Sequence, residues 1–326
     1  VGEIFKLKVI YNGIPDQDSN KKSWDDFIRN SKNGTFLFQR GFMEYHSDRF
    51  KDTSYLVLKK NNVVAVLPAN SVDDIIHSHQ GLSYGGLILK PSLKLNEVIL
   101  IFEALLNQLS IDGFKTLDLK FIPDFYALQS TNELKYLVHI LNAELYKRDV
   151  LSVLDLKSSL PYNSSTKQAI KQAEDQSFEV KEVEEVESFW NELLIPNLKK
   201  RHQAKPVHSA TEMQKLKQRF PFNIRQFNVY NDDLLISGCT VFETKTTAHI
   251  QYIAGSAVKS ERVAIDYLHH YLISRVFNEK DFFDFGASTT NKGKNINEGL
   301  LFWKERFGAR TYTQDFTRIN LNKSIQ

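Results

Sequence analysis

The segment 283–309, FDFGASTTNKGKNINEGLLFWKERFGA, sets three kinds of chemistry-bearing residue close together. Asp284-Phe285-Gly286 matches a kinase-type magnesium triplet, which also requires an upstream HRD with its Asn, a glycine-rich loop and a strand lysine. None of these is present; the nearest piece, KKRHQAK, has the wrong order and no Asp. A phosphate loop needs G-x-x-x-x-G-K-[ST], whereas six residues separate Gly286 from Gly293 and Asn295 stands in the hydroxyl position. Metal hydrolysis is as poorly supported, because the nine histidines include no H-E-x-x-H. His269 and His270 are neighbours on a helical run and diverge by about 100°, while His77 and His79 share one strand face at most. Cys239, the one cysteine, excludes an intrachain disulfide and a cysteine metal cluster; in strand-like LLISGCTVFE it reads as a core thiol in a reducing compartment.

The elements that must position these residues form a tandem pattern. YLVLKKNNVVAVLPANS is a hairpin signal turning at Asn61-Asn62, followed by glycine-bearing QGLSYGGLIL, helix-period NEVILIFEALLNQL and the strand KTLDLKF. QFNVYNDDLLISGCTVF turns at Asn231-Asp232-Asp233 and is followed by HIQYIAGS, helical RVAIDYLHHYLISRVF and the strand DFFDFG. The order predicts an α/β (α+β) fold of two similar domains, 1–150 and 151–326, each a mixed sheet with a parallel βαβ pair and flanking helices. SSLPYNSSTKQAIKQAED predicts the first helix of the second half, with Ser or Asn caps, and acidic EVKEVEEVESFWNELL a solvated helix face.

At 326 residues, 42% hydrophobic and 25% charged, the chain is long enough for two cores. A net charge of +3, with both signs interspersed, argues for small anionic ligands and against a DNA track. The longest apolar run, VILIFEALL, contains Glu103 and is too short to insert in a membrane, and no signal pattern opens the chain, so a cytoplasmic location is expected.

FDFGAS, a polar loop and GLLFWKERFGA resemble the C-terminal signature of FemAB-like proteins, acyltransferases built from two tandem GNAT-type domains. SWDDFIRNSKNGTFLFQRGFMEYH, TKQAIKQAED and IQYIAGS resemble that family's entry segment, basic helix and donor-binding strand junction. Two departures stand out: Trp303 replaces a common Phe, and AGSAVKSER only partly matches the GNAT pyrophosphate motif. LIPNLKKRHQAKPVHS resembles the branch that N-acylates nucleotide-linked amino sugars for bacterial surface polysaccharide.

The resemblance implies an acyl-CoA co-substrate with no permanently bound cofactor or metal, and a nucleotide-linked amino sugar as partner. A 3-hydroxybutanoyl donor and a dTDP-linked 3-amino-3,6-dideoxyhexose are the nearest match. It places Lys304 on the oxyanion. His208, whose ordinary pKa lies near neutral pH, and Asp284, which also suits fixing the loop after its strand, are the candidate bases, and a mechanism without an obligatory base stays open. The donor would meet Tyr252, Gly255, Ser256, Lys259, Ser260, Arg262 and Trp303; the nucleotide sugar would meet Gln39, Arg40, Tyr84 and Arg201. Two alternatives stay open: an aminoacyl-tRNA-dependent transferase of peptidoglycan or lipid, and a non-catalytic nucleotide- or partner-binding tandem domain. Residues 179–225 lack room for the long helical arm that several tRNA-dependent members carry, and the mild charge gives tRNA little support.

Overall fold

A computed structural model describes residues 7–11, 18–176, 178–256 and 261–321. The chain divides into two compact units. The first holds the chain through Asp149, Lys292–Lys294 and the chain from Thr313; the second holds Val150–Asn291 and Asn295–Tyr312. The return of the last strand to the first unit is a feature that no local pattern in the sequence announces.

In the first unit, β1 (Leu7–Tyr11) precedes α1 (Asp18–Asn30) and the short α2 (Arg40–Met43). The strands β2 (Tyr55–Lys59), β3 (Asn62–Leu67), β4 (Asn70–Val72), β5 (Ile75–His77) and β6 (Ile88–Leu89) follow. Then come α3 (Leu95–Ile111), β7 (Thr116–Lys120), α4 (Asn132–Ile140) and β8 (Glu144–Asp155), which ends in the second unit. The hairpin β2–β3 turns on Lys60-Asn61, one residue earlier than expected, because both residues adopt positive φ, 50° and 63°, as a two-residue turn of this hand requires. Helix α3 buries Val98, Ile101, Phe102, Leu105, Leu106 and Leu109, the three-and-four spacing of one helical face, into a core with β3 and β7 residues such as Val64 and Leu117. The parallel partner of β7 is β5, with His77 opposite Asp118. The glycine-bearing strand expected there, β6, pairs antiparallel with β3 instead.

In the second unit, α5 (Ser164–Asp175) starts at Asn163, whose Oδ1 accepts the Thr166 N–H at 2.9 Å. The acidic segment opens as a strand, β9 (Glu179–Val183), antiparallel to β10 (Ile224–Asn231), and not as the helix face expected. Val180 and Val183 are its partly buried residues, and Arg225 neutralises Glu182 and, from the other side, Glu243; an exposed strand edge of alternating charge is a stable end for a sheet. A π-turn over Phe189–Leu194 runs into α6 (Ile195–His202), and α7 (Ala210–Arg219) begins with a Ser209/Glu212 capping box.

The sheet continues through β11 (Leu234–Glu243) and β12 (Thr247–Gly255); α8 (Glu261–Tyr271) then crosses to β13 (Phe282–Ala287), parallel to β12. The small hairpin β14 (Thr289–Thr290)–β15 (Asn295–Ile296), helix α9 (Glu298–Glu305) and β16 (Arg310–Asn320) close the chain. Cys239 lies fully buried in β11, where burial pushes its thiol far up. Its core neighbours include Phe227, Val241, Leu268 and Phe283. Among the described residues no helix is long and apolar enough to cross a membrane.

Candidate active site

Three features of the second unit converge on the carboxyl half of β12. First, β12 and β13 pair over three residues only, Thr247↔Phe282, Ala248↔Phe283 and His249↔Asp284, so among the described residues Ile250–Gly255 has no ladder partner on that side. Second, the ladder to β11 slips between Ile250 and Tyr252, setting Gln251 out as a bulge opposite no β11 residue. Third, a cavity of about 550 Å³ opens there, lined by Ile253, Ala254 and Gly255 of β12, the first turns of α8, Asn197 and Arg201 of α6, and α9 with Trp303 and Arg306.

Buried polar contacts hold this frame. Asp266, fully buried in α8, accepts Trp303 Nε1–H at 2.8 Å and Arg306 Nη2–H at 2.9 Å, tying α9 and its following turn to α8. A buried carboxylate requires such pairing. Asn197 donates to the Gly255 carbonyl at 3.1 Å.

The DFG segment is a structural lock. Gly286 adopts φ +77°, a region that favours glycine, and its N–H is accepted by Asp284 Oδ1 at 2.7 Å. Lys304, 3% exposed, donates from Nζ to the Gly286 and Ala287 carbonyls at 2.9 and 2.8 Å. Burial pushes its ammonium down to about 8. The geometry therefore employs Lys304 in fixing the end of β13, and it does not line the cavity.

The other expected residues fall into three groups. Gly255, Arg262, Trp303 and Arg201 line the cavity together; Arg201, expected on the nucleotide sugar, instead pairs with Glu261 at 2.9 and 2.6 Å on its rim. Arg262 is exposed and has no ion pair among the described residues. Ser256 extends the ladder through its N–H to Ile236, and Lys259 and Ser260 lie outside the described residues.

His208 and Tyr252 form a second group, with Nδ1 2.6 Å from the Tyr252 hydroxyl; burial raises the phenol's pKa. In the first unit, Arg40 is buried against Trp24 and ion-paired to Asp52 and Glu44, and Tyr84 is buried with its hydroxyl donating to Thr35 Oγ1 at 3.0 Å. Gln39 ends a single turn at Phe36–Phe38. Tyr84 is thus committed inside its own unit, whereas Arg40, although ion-paired there, keeps a buried Nη1 without a hydrogen-bond partner.

His249 was missed by sequence reasoning. Its Nδ1 lies 2.8 Å from Asp284 Oδ2, at the last paired position before the strands part. The signal was the strand pairing, which joins residues 35 apart and has no local signature.

No family model matches the chain, and no curated protein does. Solved structures are similar at low identity. FemX shares 9% identity at a TM-score of 0.65, over 94% of this chain and 96% of its own. L-PGS from Bacillus licheniformis shares 13% at a TM-score of 0.60, over 93% of each. A tandem GNAT protein from the clavulanic acid biosynthesis pathway shares 12% at a TM-score of 0.51, over 98% of this chain and 100% of that one. These likenesses establish the fold as a FemAB-like tandem GNAT fold.

Proposed function

We propose that the chain is an N-acyltransferase that holds an acyl-CoA in the second unit and passes its acyl group to the amine of a nucleotide-linked amino sugar. A 3-hydroxybutanoyl donor and a dTDP-linked 3-amino-3,6-dideoxyhexose are the first pair to test. The observation that carries this reading is the bare edge of β12 beside the cavity. Unpaired peptide groups of a strand recruit an extended amide-bearing chain as an added strand, and the pantetheine arm of CoA is such a chain. Arg262, unpaired on the cavity wall, suits the donor's phosphates.

In this scheme the amine nitrogen attacks the thioester carbonyl carbon, and the resulting oxyanion is met by the backbone N–H of the bulged Gln251. Collapse breaks the C–S bond; the CoA thiolate leaves and takes up a proton. The proton shed by the nitrogen goes to His249 Nε2, while Asp284 accepts from Nδ1–H and fixes the ring. Lys304 then acts through backbone, holding the β13 end that carries Asp284.

The test is thiol release from a panel of acyl-CoAs with and without the amino sugar nucleotide, with product mass as a second readout. Thiol release that requires both substrates, and a sugar heavier by one acyl group, are the expected results. Transfer from aminoacyl-tRNA with silence from every acyl-CoA would overturn the donor class.

A further inference from the structure

The first unit has its own cavity of about 470 Å³, within the size range of small-molecule sites. It is lined by His77–Gln80, Asp118 and Lys120 at the ends of β5 and β7, Tyr146 and Lys147 of β8, Phe316 and Arg318 of β16, and Lys292 beyond β14. Four of these side chains are cations and one is a carboxylate. That carboxylate is already neutralised: Asp118 accepts both Arg318 Nε–H and Nη2–H, at 2.7 and 2.8 Å, and faces His77 Nδ1 at 3.3 Å. Lys147 shares Asp149 at 2.7 Å and sits over the Phe316 ring at 4.2 Å.

Two cations are left over. Lys292 has no acidic partner among the described residues, and the Lys120 ammonium donates to the Leu82 carbonyl, a neutral group. Burial, with Lys147 beside it, pushes Lys120 down to about 8, the mark of a site short of negative charge. His79, 3% exposed on the same wall at φ +68°, has a buried Nδ1 without a hydrogen-bond partner. The surplus positive charge and the unsatisfied ring nitrogen are joined by an aromatic corner, since Tyr146 and Phe316 stand edge to face with ring centroids 6.3 Å apart at 61°.

We propose that this cavity binds a ring-bearing diphosphate, with the phosphates between Lys120 and Lys292 and the ring against Tyr146 and Phe316. Resting on the acyl-transfer reading, this makes it the nucleotide-diphosphate subsite of the acceptor, in place of Gln39, Arg40 and Tyr84. A dianion there restores the charge balance that the protein leaves open, and the aromatic wall distinguishes a nucleotide from bare pyrophosphate.

The experiment titrates the full-length chain calorimetrically with dTDP, UDP and pyrophosphate, as wild type and as Lys292→Glu, Tyr146→Ala and Arg262→Glu. Lys292 and Tyr146 are exposed, so their variants preserve the fold, and a melting curve for each checks this. The expected result is one nucleoside diphosphate per chain. Lys292→Glu weakens it at least ten-fold, Tyr146→Ala weakens it while sparing pyrophosphate, and Arg262→Glu leaves it unchanged. Absence of binding by all three probes overturns the site, as does binding indifferent to the first two variants or abolished by the third. Acyl-CoA binding and thiol release on the same samples separate the two ideas: nucleotide binding without transfer sinks the function and keeps the site, whereas transfer without the Lys292 and Tyr146 effects sinks the site alone.

Discussion

The two units carry the same histidine–aspartate pair in the same place. His77 faces Asp118 across the parallel pair β5–β7, and His249 faces Asp284 across the parallel pair β12–β13. Their surroundings differ. Arg318 occupies both oxygens of Asp118, inside a cavity rich in cations; Asp284 holds His249 with one oxygen and the Gly286 N–H with the other, beside a bulged strand edge. On the proposed reading, one frame serves anion binding and the other an extended donor with an oriented imidazole. The duplication legible in the order of hairpins and helices extends to side-chain geometry, and the divergence lies in what each carboxylate holds.

The largest expected effect sharpens that contrast. His249→Ala should lower kcat by about 10²–10⁴, the usual worth of a general base, whereas His77→Ala should act chiefly on acceptor KM. Equal kcat losses in both variants would erase the distinction between the units. Both units also carry a buried histidine that weakens them in acid. Burial holds His269 at about 4, below its ordinary 6.5, so the unfolded chain binds a proton in that interval and the folded chain does not. Stability that is full above pH 6.5 is therefore lost as pH falls through 4, by about 3 kcal/mol. Urea melts from pH 7 to 4 should show it, and His269→Leu should flatten the second unit's share. His79, held at about 3 by burial, His46 and nearby cations, gives the first unit the same sign.

Next in size, Lys304→Met removes two charge-assisted bonds to backbone and should cost about 1–3 kcal/mol of stability, seen as a melting shift of several degrees. A turnover loss of about 10²–10³ at unchanged stability would return the oxyanion to Lys304. Smallest, Arg201→Ala breaks an exposed pair with Glu261 and should change stability by under about 1 kcal/mol.

Much of the fold could be read locally. The hairpins follow alternating runs and turn residues, α3 follows its apolar stripe, and Asn163 caps α5 as its sequence context suggests. The acidic strand β9 was misread because helix and edge strand both tolerate Glu and Lys on an exposed face, and only Arg225, over 40 residues away, reveals the choice. The site was less legible. The DFG and Lys304 signal was visible, yet its role is set by carbonyls that Lys304 reaches 17 and 18 residues back. His249 and Gln251 owe their positions to strand register and a bulge, and Lys120, Lys292 and Arg318 meet only because the last strand returns to the first unit. Properties made by non-local pairing leave no periodicity to read.

The most direct test of the central claim is backbone amide exchange across β12 with and without acyl-CoA. On this reading, the amides of Ile250–Gly255 that face away from β11 exchange faster in the free protein than the amides of Thr247–His249 on the same side, and they become protected when the donor adds itself as a strand. Unchanged exchange at Ile250–Gly255 under saturating acyl-CoA would contradict it.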